Sequence, residues 1–172
     1  MGAGILPVAF QNGRAYFLFS RERSGTSYKD SGLWSDFGGK TEKGETHWQT
    51  AVREAHEESM GLMGTCEDII DLLKNCLIGE IDVGCYKTYI VEVAYDESVP
   101  ATFRQEFKNA PSELLNVRNG LYEKDEARWI RLENVGRFSK RFRSWYKYSG
   151  IPRKAVAIVS AYMAQNEEIT GV

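Results

Sequence analysis

Residues 36–62 read DFGGKTEKGETHWQTAVREAHEESMGL, and this stretch decides the fold. It opens on the glycine pair Gly38-Gly39 and closes on three carboxylates, Glu54, Glu57 and Glu58. At about 100° per residue, Glu57 and Glu58 fall about −60° and +40° from Glu54 around a helix axis, so one narrow stripe carries all three acids. Trp48, Ala51, Val52, Ala55 and Leu62 fall in another arc of roughly 100°, the width of a core-facing stripe. The pattern predicts a helix that buries an apolar face and presents acid on the other. Thr46 is the expected N-cap and Gly61 the expected C′ residue that ends the helix.

Neighbouring anions on a helix cost a few tenths of a kcal/mol each, so the cluster calls for a compensating cation. Oxygen ligands suit magnesium, calcium or manganese. The preceding loop adds to the case. Gly38 and Gly39 allow close approach of backbone to a ligand, and Lys40 and Lys43 add positive charge.

The stretch resembles the signature of the Nudix hydrolases, G-x5-E-x7-R-E-U-x-E-E-x-G-U with U a bulky aliphatic residue. Gly39, Glu45, Arg53, Glu54, Glu57 and Glu58 match it in identity and spacing. There are two departures: Ala55 stands where a larger aliphatic is usual, and Met60 is one extra residue before Gly61-Leu62. Lying downstream of the acids, the insertion is expected to lengthen the helix end without moving them.

The resemblance implies an α/β fold with a central mixed β-sheet sandwiched between α-helices. It also implies attack of water on a phosphoanhydride with Mg2+ or Mn2+ as cofactor. Carried over residue by residue, Glu54, Glu57 and Glu58 hold metal, the Gly38 carbonyl adds a ligand, and Arg53 with Glu45 braces the loop against the helix. Glu126, ahead of the last strand, is expected to reach the metal site from outside the helix, with Glu123 as the fallback. Arg23 and Lys40 are expected on the substrate side. The general base stays open between Glu54, Glu126 and another loop acid.

Outside this stretch, 172 residues suit one domain, 1–172. Hydrophobic residues make up 42%, charged residues 27%, and the net charge is −2, which fits a globular chain without overall nucleic-acid affinity. Cys66, Cys76 and Cys85 form no CxxC pair and suit reduced thiols, so the expected location is cytoplasmic. No apolar run is long enough to cross a membrane.

Asn12-Gly13 between two apolar runs predicts a hairpin, and Pro7 suggests that its first strand begins at a sheet edge. Residues 24–32 read as a mobile loop, and 33–37 as a short strand leading to the glycines. Residues 67–75 predict a short helix, and 77–95 two strands around Gly84. Residues 100–120 give no readable period. Trp129 to Leu132 predicts a strand entered from an acidic loop, and a helix should follow Pro152. Between them, 137–148 interleaves Arg and Lys with Phe, Trp and Tyr. Such segments hold phosphates and stack bases, but packing of these aromatics on the sheet is the preferred reading.

The expected substrate is a nucleoside or deoxynucleoside triphosphate, including oxidised purine forms. The WSDFGGK run, residues 34–40, is closest to family members that hydrolyse nucleoside triphosphates. Dinucleoside polyphosphates, ADP-ribose, diphosphoinositol polyphosphates and capped RNA are the alternatives. A binding module that senses nucleotide or RNA without cleaving it is the reading from another class, and the intact glutamate set argues against it. Monomer and homodimer are both open.

Overall fold

The computed structural model describes residues 1–116 and 121–170. In chain order these form β1 (Gly2–Gln11), β2 (Arg14–Glu22), β3 (Trp34–Ser35), β4 (Phe37–Lys40), α1 (His47–Glu58) and α2 (Cys66–Asn75). There follow β5 (Leu77–Asp82), β6 (Tyr86–Glu92), α3 (Val99–Lys108), β7 (Lys124–Arg131), α4 (Val135–Phe138), α5 (Ser144–Tyr148) and α6 (Ile151–Thr170).

The strands make one mixed sheet in the order β3-β2-β1-β6-β5, with β4 paired to β1 and β7 to β2. Asn12 and Gly13 take left-handed backbone angles, φ 51° and 70°, as a tight hairpin turn requires. β1 is central rather than peripheral. It runs parallel to β6 along Gly2–Val8, while its other side pairs first with β4 (Gly2–Ile5) and then with β2 (Val8–Gln11). Pro7, expected near an edge, lies where that second side changes partner, so its missing N–H costs no ladder bond.

The buried strands alternate between two cores. Ala3, Ile5, Leu18, Phe37, Tyr89 and Val91 meet α1, α2 and α3 on one face. Leu6, Val8, Phe17, Phe19 and Ile90 meet Val135, Phe142, Tyr146, Ile151, Ala155 and Val159 on the other. The sheet thus lies between helices, as the resemblance implied. The aromatics of 137–148 follow the preferred reading: Phe142 and Tyr146 are buried and Trp145 packs against Tyr86, while Tyr148 stays exposed. Residues 100–108 fall in α3, and residues 117–120 of that unreadable segment lie outside the described residues. α3 buries Phe103 alone, too little for a period.

Two expectations about α1 need correction. The extra Met60 does not lengthen the helix, which ends at Glu58. Met60 takes φ 54°, the Met60 N–H donates to the Glu57 carbonyl, and the Gly61 N–H donates to the His56 carbonyl. This is a Schellman closure with Met60, not Gly61, at C′. Leu62 therefore leaves the helical stripe and is exposed. The second correction concerns the acids: Glu54 and Glu58 are buried along with Ala51, Val52 and Ala55, so α1 presses acid as well as apolar groups toward the sheet.

Candidate functional site

Thr46 caps α1 as predicted, accepting from the Gln49 N–H while the Gln49 side chain accepts from the Thr46 N–H. This fixes where the helix starts and hence which residues face β4. Gly38 and Gly39 sit inside β4, opposite Gly4 and Ala3, rather than in a loop. Space, not φ, demands glycine at both. A Cβ on Gly38 would run into the Tyr86 hydroxyl and the β1 backbone, and one on Gly39 would land on the Glu54 carboxylate.

Arg53 ties the helix to the loop before it. Its Nε donates to Glu45 Oε1 (2.7 Å), and its Nη2 donates to Glu45 Oε2 (3.0 Å) and to the Lys40 carbonyl (3.0 Å). Its Nη1 donates to Glu54 Oε1 (2.9 Å) and Glu57 Oε2 (3.2 Å), so all five guanidinium N–H groups are engaged. Hydrogen bonds from Arg53 pull the Glu45 carboxyl down to about 2, and Glu45 in turn raises Arg53.

Glu58 closes the outer edge of β4. Its Oε2 accepts from the Gly38 N–H at 2.6 Å, and its Oε1 lies 3.3 Å from Lys124 Nζ. In an extended strand a residue's carbonyl leaves on the same side as its amide, so the Gly38 carbonyl also faces this site. Burial lifts Glu58 well above the ordinary carboxylate range. Lys124 opposes the lift, and Glu22, Glu54 and Glu123 add to it. Burial likewise lifts Glu54 to about 7, against Arg53 and with help from Glu57 and Glu123.

Four residues of this network, Lys124, Glu22, Arg143 and Asp36, were not singled out from the sequence. Lys124 is wholly buried, bonded to Glu22 and within 3.4 Å of Ser35 Oγ. Burial pulls its ammonium down, but Glu58 and Glu22 more than offset that, so it stays charged. Arg143 donates to Glu22 (2.9 Å), to Asp30 (3.0 Å) and to the Tyr28 hydroxyl (2.9 Å), tying the 23–33 loop to the same cluster. Asp36 is fully buried and accepts from Tyr86 Oη (2.9 Å) and Thr88 Oγ1 (2.7 Å). Burial, opposed by those bonds, sets it at about 6.

Other expected site residues fall elsewhere. Glu126 is inside β7, opposite Arg21, because that strand begins at Lys124 rather than at Trp129. Its carboxylate is committed to Arg21 (2.9 Å) and Arg128 (2.6 Å). Glu123, the fallback, is the acid whose charge acts on Glu54 and Glu58. Arg23 donates to the Leu115 carbonyl, and Lys40 is exposed, entering the network through its carbonyl.

Among the described residues no three His, Cys, Asp or Glu side chains converge on one ion-sized point. The glutamate oxygens turn instead to Arg53, the Gly38 amide and Lys124. The donor set still suits a hard cation: three carboxylates and a backbone carbonyl lie around Arg53 and the outer edge of β4, and burial raises two of the acids, Glu54 and Glu58. A divalent ion there would be held by Glu54, Glu57, Glu58 and the Gly38 carbonyl. It would neutralise phosphate charge and lower the pKa of a bound water.

The family model described as NUDIX domain matches residues 1–149. The chain belongs to the Nudix hydrolase family. A protein of Acanthamoeba polyphaga mimivirus is 41% identical over 91 residues, covering 42% of this chain and 29% of that one. The chain therefore matches less than a third of that relative's length. A C. elegans Ap4A hydrolase binary complex superposes with TM-score 0.56 at 18% identity, covering 94% of this chain and 99% of that one, which shows a shared fold. The M. smegmatis Nudix hydrolase RenU aligns over 92% of this chain and 86% of that one, with TM-score 0.49 and 19% identity. Among the described residues no helix is long and apolar enough to cross a membrane.

Proposed function

We propose that this Nudix hydrolase uses Mg2+, or Mn2+, to cleave a phosphoanhydride in a nucleoside diphosphate derivative, with a nucleoside or deoxynucleoside triphosphate as leading substrate. One observation carries the reading: Glu54 and Glu57 share a single Arg53 nitrogen, 2.9 and 3.2 Å away, while Glu58 is held at the Gly38 amide. A retired binding module has no chemical reason to keep three acids together against their mutual repulsion.

In this reading Arg53 and Glu45 orient the carboxylates, Lys124 holds Glu58, and Glu123 takes the loop-acid place first given to Glu126. Burial sets Glu54 near 7 in the metal-free site, and a divalent ion bound there would lower it and hold it as a carboxylate. The triphosphate preference rests on the likeness of residues 34–40, which build β3 and β4 beside the cluster.

The test is turnover on a panel of nucleoside triphosphates (oxidised purine forms included), dinucleoside polyphosphates, ADP-ribose, inositol pyrophosphates and capped RNA. Each is run with and without Mg2+, for the wild type and Glu58→Gln. Metal-dependent release of phosphate or pyrophosphate from a triphosphate, lost in Glu58→Gln, is expected. Turnover of every substrate independent of Glu58 refutes the assignment.

A further inference from the structure

The basic-aromatic segment does more than pack the second core. Where β7 ends, Tyr16, Tyr95, Trp129, Arg131, Arg137 and Arg141 surround a surface cavity of about 530 Å3. That lies within the roughly 300–1,000 Å3 typical of small-molecule sites. We propose that this cavity is a second ligand site, which takes a nucleoside phosphate with its base on the aromatic wall and its phosphate on the arginines.

The wall is built for stacking. Tyr16 and Tyr95 have ring centroids 4.8 Å apart, and Tyr95 and Trp129 5.3 Å. The Trp129 indole N–H donates to the Asp96 carbonyl at 2.8 Å, which pins the ring where it lines the cavity. A base stacked on a pinned aromatic gains about 1–3 kcal/mol whatever its identity.

The charge points the same way. Among the described residues no Asp or Glu lines the cavity, and Arg131, Arg137 and Arg141 make no ion pair. The Arg131 guanidinium lies 5.9 Å from the Tyr16 ring centre, so cation and stacking surface already adjoin. Farther along the same two strands Arg21 is neutralised by Asp125 and Glu126, and Arg128 by Glu126. Three unneutralised guanidiniums around one hollow suit a dianionic phosphate.

The site is distinct from the glutamate cluster. β2 pairs with β7 from Tyr16↔Arg131 at one end to Glu22↔Lys124 at the other. That ladder puts about 20 Å between the cavity and the Lys124–Glu58 pair.

The test uses AMP, which has no phosphoanhydride to cleave, titrated calorimetrically and by tryptophan fluorescence in metal-free buffer with EDTA. Saturable binding is expected, with adenosine and inorganic phosphate each binding at least about tenfold more weakly. Arg137→Ala with Arg141→Ala, both exposed, should weaken AMP at least about tenfold, and Trp129→Phe should remove the fluorescence change. Glu58→Gln should bind AMP as the wild type does. The proposal is overturned by no saturation up to ~10 mM AMP, by inorganic phosphate binding as tightly as AMP, or by binding lost in Glu58→Gln yet kept in the arginine variant. Because no metal or turnover is involved, failure here leaves the hydrolase reading standing, and the reverse holds too.

Discussion

Gly39→Ala separates the chemistry of the glutamate cluster from the stability of the fold. A Cβ at Gly39 would lie 2.5 Å from Glu54 Cδ and 2.6 Å from Oε2, whereas ordinary contact begins at 3.4 Å. The Glu54 carboxylate must withdraw by roughly 0.9 Å, since the β4 backbone is pinned by β1 and the obstructing atoms end a side chain. That retreat strains the Glu54 bond to Arg53 Nη1, now 2.9 Å. Weakening one charge-assisted bond costs about 1.5–3 kcal/mol, and replacing glycine in a strand returns about 0.5–1 kcal/mol, so the net loss should be about 1–2 kcal/mol. A displacement of about 1 Å in a catalytic group costs on the order of 100-fold in rate. Parallel urea unfolding and steady-state phosphate release should therefore show a folded protein with kcat/KM down about 100-fold. Full stability with kcat/KM within about threefold of wild type would refute the placement of Glu54 at the reacting centre. Gly38→Ala is the contrast: its Cβ meets the Ala3 carbonyl oxygen at 2.5 Å, so the fold itself should fail, with soluble yield as the readout.

Arg53→Lys keeps the charge but replaces five fixed donors by three mobile ones, and should cost about 2–4 kcal/mol in urea unfolding, mostly through the Glu45 fork. A loss under ~0.5 kcal/mol would show that the fork is dispensable. Glu45, lowered from 4.5 to about 2 by Arg53, contributes stability that is full above pH ~4.5 and lost as pH falls toward 2. After discount for solvent at this surface position the amount is about 1–2 kcal/mol, and Glu45→Gln should flatten the stability profile between those pH values. An unchanged slope would remove Glu45 from the acid response. Lys124→Met leaves Glu58 and Glu22 buried with one cation fewer and should cost about 3–5 kcal/mol. Equal midpoints for variant and wild type in thermal unfolding would contradict the buried ion pair.

Much of this arrangement was legible because it is local. The α1 cap, the Asn12-Gly13 turn and the spacing of Arg53, Glu54, Glu57 and Glu58 all act within one turn or one hairpin, where residue order dictates geometry. Lys124, Glu22 and Arg143 were not, because sequence separations of 102 and 121 residues lie between the partners. No period marks an acid as the future partner of a distant lysine. Glu126 misled for a related reason: β7 extends back to Lys124, so alternation in the strand and its pairing with Arg21, not proximity in sequence, set where that carboxylate goes. The burial of Glu54 and Glu58 was also hidden, since amphipathic counting treats every acid as solvent-seeking.

The Schellman closure at Met60 isolates what comes before it from what comes after. Met60, Gly61 and Gly64 all take left-handed backbone angles, φ 54°, 76° and 95°, so chain gained or lost between Glu58 and the Thr65 cap of α2 should be absorbed there rather than passed to the carboxylates. This short connection behaves as a mechanical fuse. A spectroscopic label or a spliced peptide placed there, at exposed Leu62, should leave the carboxylates undisturbed.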